Sequence, residues 1–574
     1  MRFLLLLALA LPVWAIELAT GKMLGPGHDP RAFYMRHGSG PWARTYTGPE
    51  YRPEAAGRLM NLRVAQAVVH DERLTEEPFD PEKNTDRVIA ALDTYQRHGI
   101  LAISVSLQGA NAAYELTPNI KRIRAYKLGP GKGMHMSAFR PDGSLKPEWM
   151  ARTLRLAREL DRRGMVLHLL YYYQHQDEIL RDPAALRQGA VNVTDWLIDN
   201  NLRNVLIEVA NEIDANTYDH DGYLAKNLGE MIELIRGRFE AKKAGYRLPI
   251  STSTTGGAMM QVPPAIFEHA DLVLLHGNNR TPQQKGRRTA ELLANPGTPG
   301  PVVFSEDNNG RDTDEATLKL EIASLDAIWK AGGSWGYMPW KPAQVFPFRF
   351  YDPVKYDHPD ARYFAAVLEH IRRLVYVDRH ANLRLVIDEN FTRGVTKGTR
   401  PQDPGEFTPD GWKVNSERCQ IRYDLGRFYV RGAVELQIRG PLFAWGANVK
   451  RNAFAAWNEE AASGGDRKTQ SFFQLRFQEG GMMLRLSNRS GGKSYEGKTG
   501  VLDWDDARWY TIRGEWDTAS GINRLYRDGI LIQSGKFNAG FPGFRWLFIG
   551  KDNYQSFVSI PGVTYRNLRV WVEE

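Results

Sequence analysis

The segment Val205-Leu-Ile-Glu-Val-Ala-Asn-Glu212 has the composition of a buried strand and ends on an amide followed by a carboxylate. A second apolar run, Pro301-Val-Val-Phe-Ser-Glu306, also ends on a glutamate. The stretch between them accommodates three strand–helix units at about 30 residues each. Two carboxylates at the tips of parallel strands are the equipment for cleaving a glycosidic bond: one protonates the leaving oxygen, and the other attacks carbon or activates water. The task demands two different environments, since the acid must keep its proton while the second group stays ionised. Glu212 and Glu306 are therefore the candidate catalytic pair. Strand alternation puts Leu206, Glu208, Ala210 and Glu212 on one face, opposite Val205, Ile207 and Val209. The same count places Val302 and Phe304 on the face of Glu306, and Leu272 and Leu274 on that of His276. Glu212, His276 and Glu306 should then converge.

Other polar residues weigh differently. Glu208 sits mid-strand and reads as structural, paired with a neighbour such as His168, because an unpaired buried charge is costly. His276 reads either as a substrate ligand or as a satisfied core histidine. Asp307 follows Glu306 directly and competes for the same role. Gly129-Pro-Gly-Lys-Gly133 lacks the spacing of a phosphate loop, and neither a His-Glu-x-x-His pair nor a Gly-x-Ser-x-Gly elbow is present.

The elements that must hold these groups alternate regularly from about residue 86. Asp86 to His98 is an amphipathic helix and Gly99 to Leu107 a strand. A helix over Pro147–Arg163 leads through Gly164 into the strand Met165–Tyr171. Helices over Ala185–Ile198 and Leu224–Ala241 flank the Glu212 strand. Ile250–Ser253, Asp271–His276, Val302–Glu306 and Gly333–Trp340 complete seven strands. An eighth is expected upstream, around Ala32–Arg36 or Leu62–Val69. This order predicts a closed (β/α)8 TIM barrel, whose active site lies at the C-terminal ends of the strands. A doubly wound open sheet is the alternative, but its glycine-rich first turn is missing. After about residue 384 helical periodicity stops, and short strands with Gly, Asn and Asp turns predict an all-β sandwich to the C-terminus.

Bulk properties narrow the class. The chain has 574 residues, too many for one core. Its net charge of +8 is spread over 75 basic and 67 acidic residues, with no basic-aromatic block of the kind that binds nucleic acid. Met1-Arg2, the apolar run Phe3–Leu11 and Val13-Trp14-Ala15 form the three parts of a secretory signal, with cleavage expected after Ala15 and no membrane anchor. Cys419 is the sole cysteine, which excludes an intrachain disulfide or a cysteine metal cluster and suits a bacterial periplasm or exterior.

An Asn-Glu dipeptide ending a fourth barrel strand, with a Glu ending the seventh, resembles the bacterial members of glycoside hydrolase clan A. The resemblance implies a retaining mechanism with Glu212 as acid/base and Glu306 as nucleophile. It also implies that Asn211 holds the substrate 2-hydroxyl, that His276 is the sixth-strand histidine, and that Trp340 or Tyr337 floors the sugar site. The nucleophile context Ser-Glu-Asp-Asn departs from the family's commoner Glu-Phe-Gly. Tyr172-Tyr-Gln-His-Gln-Asp177 likewise replaces a single strand-three histidine, which brings Gln176 and Asp177 forward as lining residues, alongside Gln108 and Asn278. The C-terminal module resembles the concanavalin-like or laminin G-like jelly rolls through Tyr526-Arg-Asp-Gly529 and Ile549-Gly550.

The expected protein is thus a signal peptide (1–15), a catalytic barrel (16–384) and a jelly-roll sandwich (385–574). Its expected activity is hydrolysis of an extracellular poly- or oligosaccharide with no metal or organic cofactor; structural calcium in the sandwich is left open and not predicted. The rivals are a non-catalytic glycan-binding protein on the same barrel and a transglycosylase using the same carboxylates.

Overall fold

The computed structural model describes residues 16–48, 50–70, 80–109, 113–114, 123–124, 136–257, 260–308, 314–339, 345–346, 359–377, 383–400, 403–442, 451–458, 471–478, 481–488, 493–499, 504–536, 542–552 and 558–573. The chain forms two compact units that divide after Val377.

The first unit is the expected barrel. Its parallel strands are β1 (Asn61–Arg63), β2 (Ala102–Ser106), β3 (Val166–Tyr172), β4 (Val205–Ala210), β5 (Ile250–Ser251 and Ser253–Thr254), β6 (Val273–His276), β7 (Val302–Asp307) and β8 (Ser334–Tyr337). The two short pieces of β5 close the ring: Ile250–Ser251 pairs with β4, Ser253–Thr254 pairs with β6, and β8 pairs back onto β1. Between those pieces the Thr252 hydroxyl fills the gap in the ladder, donating to the Ala210 carbonyl (2.5 Å) and accepting from the Ala210 N–H (3.2 Å). The strands are buried on both faces, as parallel strands covered by helices must be. The intervening helices start where the sequence offers a cap. Asp80, Asp182 and Asp314 accept from backbone N–H groups of the first turn, and Thr281 with Gln284 forms a reciprocal capping box.

The barrel's first strand lies in the upstream run around Leu62, and Ala32–Arg36 instead contributes to an antiparallel hairpin, Ile16–Thr20 with Phe33–His37. Ile16, Leu18 and Phe33 from that hairpin pack with Ala102, Val166, Leu206, Leu272, Leu274 and Val303. The lower interior is thus an apolar plug. One expectation about β7 fails. Leu275 pairs with Phe304 but His276 pairs with Glu306, so Ser305 is an extra residue in a β-bulge. Val302 and Phe304 face the outer helices, in the same core as Val205 and Ile207, while the bulge turns Glu306 inward. Simple alternation cannot anticipate that shift.

The second unit is an antiparallel sandwich of a larger sheet, built around Arg431–Arg439 and Thr564–Glu573, and a six-stranded sheet built around Gln420–Tyr429 and Phe544–Gly550. A shared apolar core includes Trp412, Phe454, Phe473, Trp516 and Phe544. Arg527 pairs with Ile530 across Asp528-Gly529, both at positive φ, as a tight hairpin turn requires. The boundary expected at 384 falls inside the strand Leu383–Glu389, which pairs with Thr564–Glu573 and so belongs to the sandwich. Its partner lies at the far end of the chain, out of reach of a local reading.

Gly336 on β8 has no room for a side chain: a Cβ would stand 2.6 Å from the Ser305 carbonyl oxygen and 2.7 Å from both Phe304 O and Asn61 Nδ2. Backbone atoms cannot yield as a flexible side chain would. Gly336→Ala should therefore lower the stability of the barrel by about 1–3 kcal/mol in urea unfolding. An unchanged midpoint would show that the strands there are more loosely packed than described.

Candidate active site

The site stands at the C-terminal mouth of the barrel, where β4 gives way to a turn. The Asn211 N–H donates to the Tyr172 carbonyl (3.0 Å), and the Ile213 N–H donates to that of Ser253 (2.9 Å). Between them Glu212 adopts φ 46°, a left-handed conformation that costs a non-glycine residue on the order of 1–3 kcal/mol. The Glu212 N–H donating to Ser253 Oγ (2.9 Å) and the Tyr218 hydroxyl donating to the Asn211 carbonyl hold the turn. Its effect is to aim the carboxylate across the mouth. Oε2 accepts from Gln174 Nε2 (2.9 Å), and Oε1 lies 3.0 Å from His276 Nδ1. The Glu212 side chain stays 20% exposed, so a ligand can reach it.

Glu306 faces it from the bulge of β7 and is more enclosed, at 5% exposure. Arg63 Nε approaches its Oε2 at 2.6 Å, an electrostatic contact more than an aligned hydrogen bond. Asn278 Nδ2 donates to Oε1 at 2.6 Å, and His276 Nδ1 lies 3.8 Å away. One oxygen from each carboxylate and a ring nitrogen of His276 all fall within 4.8 Å of one another.

The surroundings set the charges. Burial pushes the Glu306 carboxyl up, but His276, Arg63 and the Asn278 amide outweigh it and hold it below the ordinary range. Burial likewise works against a charged His276, yet Glu306 and Glu212 raise its pKa above the usual value. Beneath them Glu208 is fully buried. Desolvation would raise its pKa, but His168, at 2.7 Å, and Arg63, at 3.9 Å, bring it down to about 2. His168 continues through Ser104 Oγ (2.8 Å) to Asn61 Oδ1 (2.8 Å), so a polar chain runs from the first strands up to the carboxylates.

Asp307 points the other way. Its Oδ1 receives Lys285 Nζ at 2.6 Å and its Oδ2 the Trp335 indole N–H at 2.8 Å, all buried outside the ring. Asn211 is at the site, but its side chain is engaged: Oδ1 accepts from Arg63 (2.5 Å), and Nδ2 donates to Gln174 Oε1 (2.8 Å). Gln108 is fully buried and braces loops, accepting from the Tyr173 N–H and donating to Gln176 O and Ser137 Oγ. Gln176 and Asp177 are buried too, and Asp177 accepts from the Asp219 N–H. Tyr337 does not floor the site. It stacks on Trp335 at 5.4 Å and packs against Phe364 on the helix side, because Gly336 takes the inward position on β8. Trp340 lies outside the described residues.

Two residues central to this geometry escaped the sequence reading. Arg63 carries a signal of its own, a lone cation inside the apolar run from Met60 to Val69, which must find a buried counter-charge. Gln174, which links Asn211 to Glu212, carries none, since it sits among equally polar neighbours. Among the described residues two groups present donor atoms close enough to share a cation: Glu212 with His276 and Glu306, and Asp177 with Glu178 and Asp219. In the second, burial and then Asp219 raise Asp177 to about 7, and burial raises Glu178 to about 8.

Lys285→Met strips a buried partner from Asp307 and should cost about 3–5 kcal/mol of stability in denaturant titration. A loss under 1 kcal/mol would release Asp307 from its structural role. Because the folded-state pKa of Glu306 is lowered, its stabilisation is fully present above the ordinary glutamate range and is lost as pH falls through the lowered value. The thermal advantage of the wild type over Glu306→Gln should accordingly be widest near pH 6 and shrink towards pH 3. An advantage that grows on acidification would contradict the charge assignment.

No protein-family model matches this chain, and none of the curated proteins matches it. Among solved structures the chain is similar to a GH5-4 broad-specificity endoglucanase from Bacteroides salanitronis: 10% identity over 59% of this chain and 99% of that one, TM-score 0.38. It is also similar to a Bacteroides ovatus GH5 xyloglucanase in complex with a XXXG heptasaccharide, at 10% identity, 63% and 87% coverage and TM-score 0.36. A further similarity is to domains LG4-5 of the mouse laminin alpha1 chain, at 17% identity, 27% and 41% coverage and TM-score 0.20. The barrel and sandwich assignments rest on the strand pairing given above.

Proposed function

We propose that this protein is an exported retaining glycoside hydrolase acting on a poly- or oligosaccharide. The observation that carries the reading is the spacing of the two carboxylates, whose nearest oxygens lie within 4.8 Å. Retaining enzymes hold their carboxyl groups about 5–5.5 Å apart, whereas inverting enzymes need roughly 6.5–9.5 Å to seat a water.

The environments divide the labour. Glu306, enclosed and kept ionised by Arg63 and His276, is the nucleophile: an oxygen attacks the anomeric carbon as the glycosidic C–O bond breaks. Glu212 is more exposed, and Gln174 and His276 hold its oxygens in place. It gives its proton to the departing oxygen. In the second half Glu212 takes a proton from water, whose oxygen displaces Glu306 from the sugar. Asn278 and Arg63 fix the nucleophile so that attack costs little reorganisation. Asp307, paired to Lys285 outside the ring, takes no part.

The test begins with a polysaccharide panel read by release of reducing ends. On any substrate found, Glu212→Gln should lower kcat by about 10²–10⁴-fold with unchanged folding. Glu306→Gly with added azide should yield a glycosyl azide of inverted anomeric configuration. Full activity in Glu212→Gln removes it from the mechanism. Rescue in Asp307→Gly instead would transfer the nucleophile, and binding without any released sugar would favour a non-catalytic glycan receptor.

A further inference from the structure

Ile16 lies in the hairpin that plugs the barrel floor, and its backbone nitrogen lies 2.8 Å from Asp161 Oδ1. The next two residues are fastened as well. Glu17 meets Arg36 at 2.8 Å and Arg203 at 3.0 Å, and the Leu18 N–H donates to the Arg203 carbonyl at 3.1 Å. The side chains of Ile16 and Leu18 are buried in the floor cluster. Three consecutive residues are thus held with no slack, and the nitrogen of the first stands on a carboxylate. Asp161 is short of positive charge: burial holds its carboxyl above the ordinary range, against the pull of the Ile16 N–H and of His37. Immediately upstream, Val13 and Ala15 are the small residues at the third and first positions before the bond that an export peptidase cuts.

We propose that cleavage of the Ala15–Ile16 bond by an export-linked endopeptidase creates an α-ammonium group on Ile16 that pairs with Asp161, so that maturation fastens the floor of the barrel. Water supplies the hydroxyl of the new Ala15 carboxyl group and a proton to the released amine, which takes up another below the ordinary α-amino pKa of about 8. An N–H donating to a carboxylate becomes an ammonium–carboxylate pair in which both partners carry charge. Because Ile16 is buried in the folded barrel, the cut precedes docking of the strand. The inference rests on the export reading of residues 1–15 and stands apart from the catalytic assignment.

The experiment compares full-length chains that begin at Ile16, recovered from the exported fraction and confirmed by N-terminal sequencing, with chains carrying one extra glycine before Ile16. Each is made with Asp161 and with Asp161→Asn. The Ile16-start protein should melt roughly 3 °C above the glycine-extended one, and Asp161→Asn should erase the difference. As a second readout, acylation of the Ile16 α-amine in the native Asp161 protein should be at least tenfold slower than in urea. Equal melting of the two wild-type forms, a gap that survives Asp161→Asn, a freely acylated amine, or an exported chain that begins elsewhere would each overturn the proposal.

Discussion

The geometry at the barrel mouth depends on one buried cation. Arg63 ends the shortest of the parallel strands, fully enclosed, with Glu306 and Asn211 on one side and Glu208 behind it. Desolvating a guanidinium is tolerable only if carboxylates and amides surround it, and losing one partner of such a pair costs about 3–5 kcal/mol. Each of its neighbours is therefore fixed in return. Glu306 is held as an anion, Asn211 is turned towards Gln174, and Gln174 in turn grips Glu212. The placement of both carboxylates thus follows from satisfying one charge.

The barrel separates an apolar lower half from a polar upper half. Hairpin residues seal the floor with aliphatic and aromatic side chains, while Asn61, Ser104, His168 and Glu208 form the layer beneath the site. Such a network rigidifies a site only when its members are paired, because low dielectric strengthens each contact and punishes each omission. Gly336 matters for the same reason: its missing side chain lets β8 close against Asn61 and the bulge that carries Glu306.

Much of this was legible in the residues. Alternating helical and strand patterns foretold the parallel barrel, and strand parity placed Glu208 inward beside His168. What was not legible came from events that break the period. The bulge at Ser305 reversed the expected facing of Val302 and Phe304, and the glycine at 336 sent Tyr337 to the outer layer. The strand Leu383–Glu389, within which the expected boundary falls, pairs with a segment at the opposite end of the chain. Gln176 and Asp177 stood out as polar residues after a strand, yet Gln174 does the positioning. Only three-dimensional closure decides which of several glutamines meets the carboxylates.

The central claim is that Glu212 and Glu306 are spaced for two successive displacements at one carbon. Proton NMR of the first sugar released from a substrate of defined linkage tests it most directly. The account predicts that the initial product carries the anomeric configuration of the substrate, with the other anomer growing in only by mutarotation. A first product of opposite configuration would mean a single displacement by water and would contradict the account.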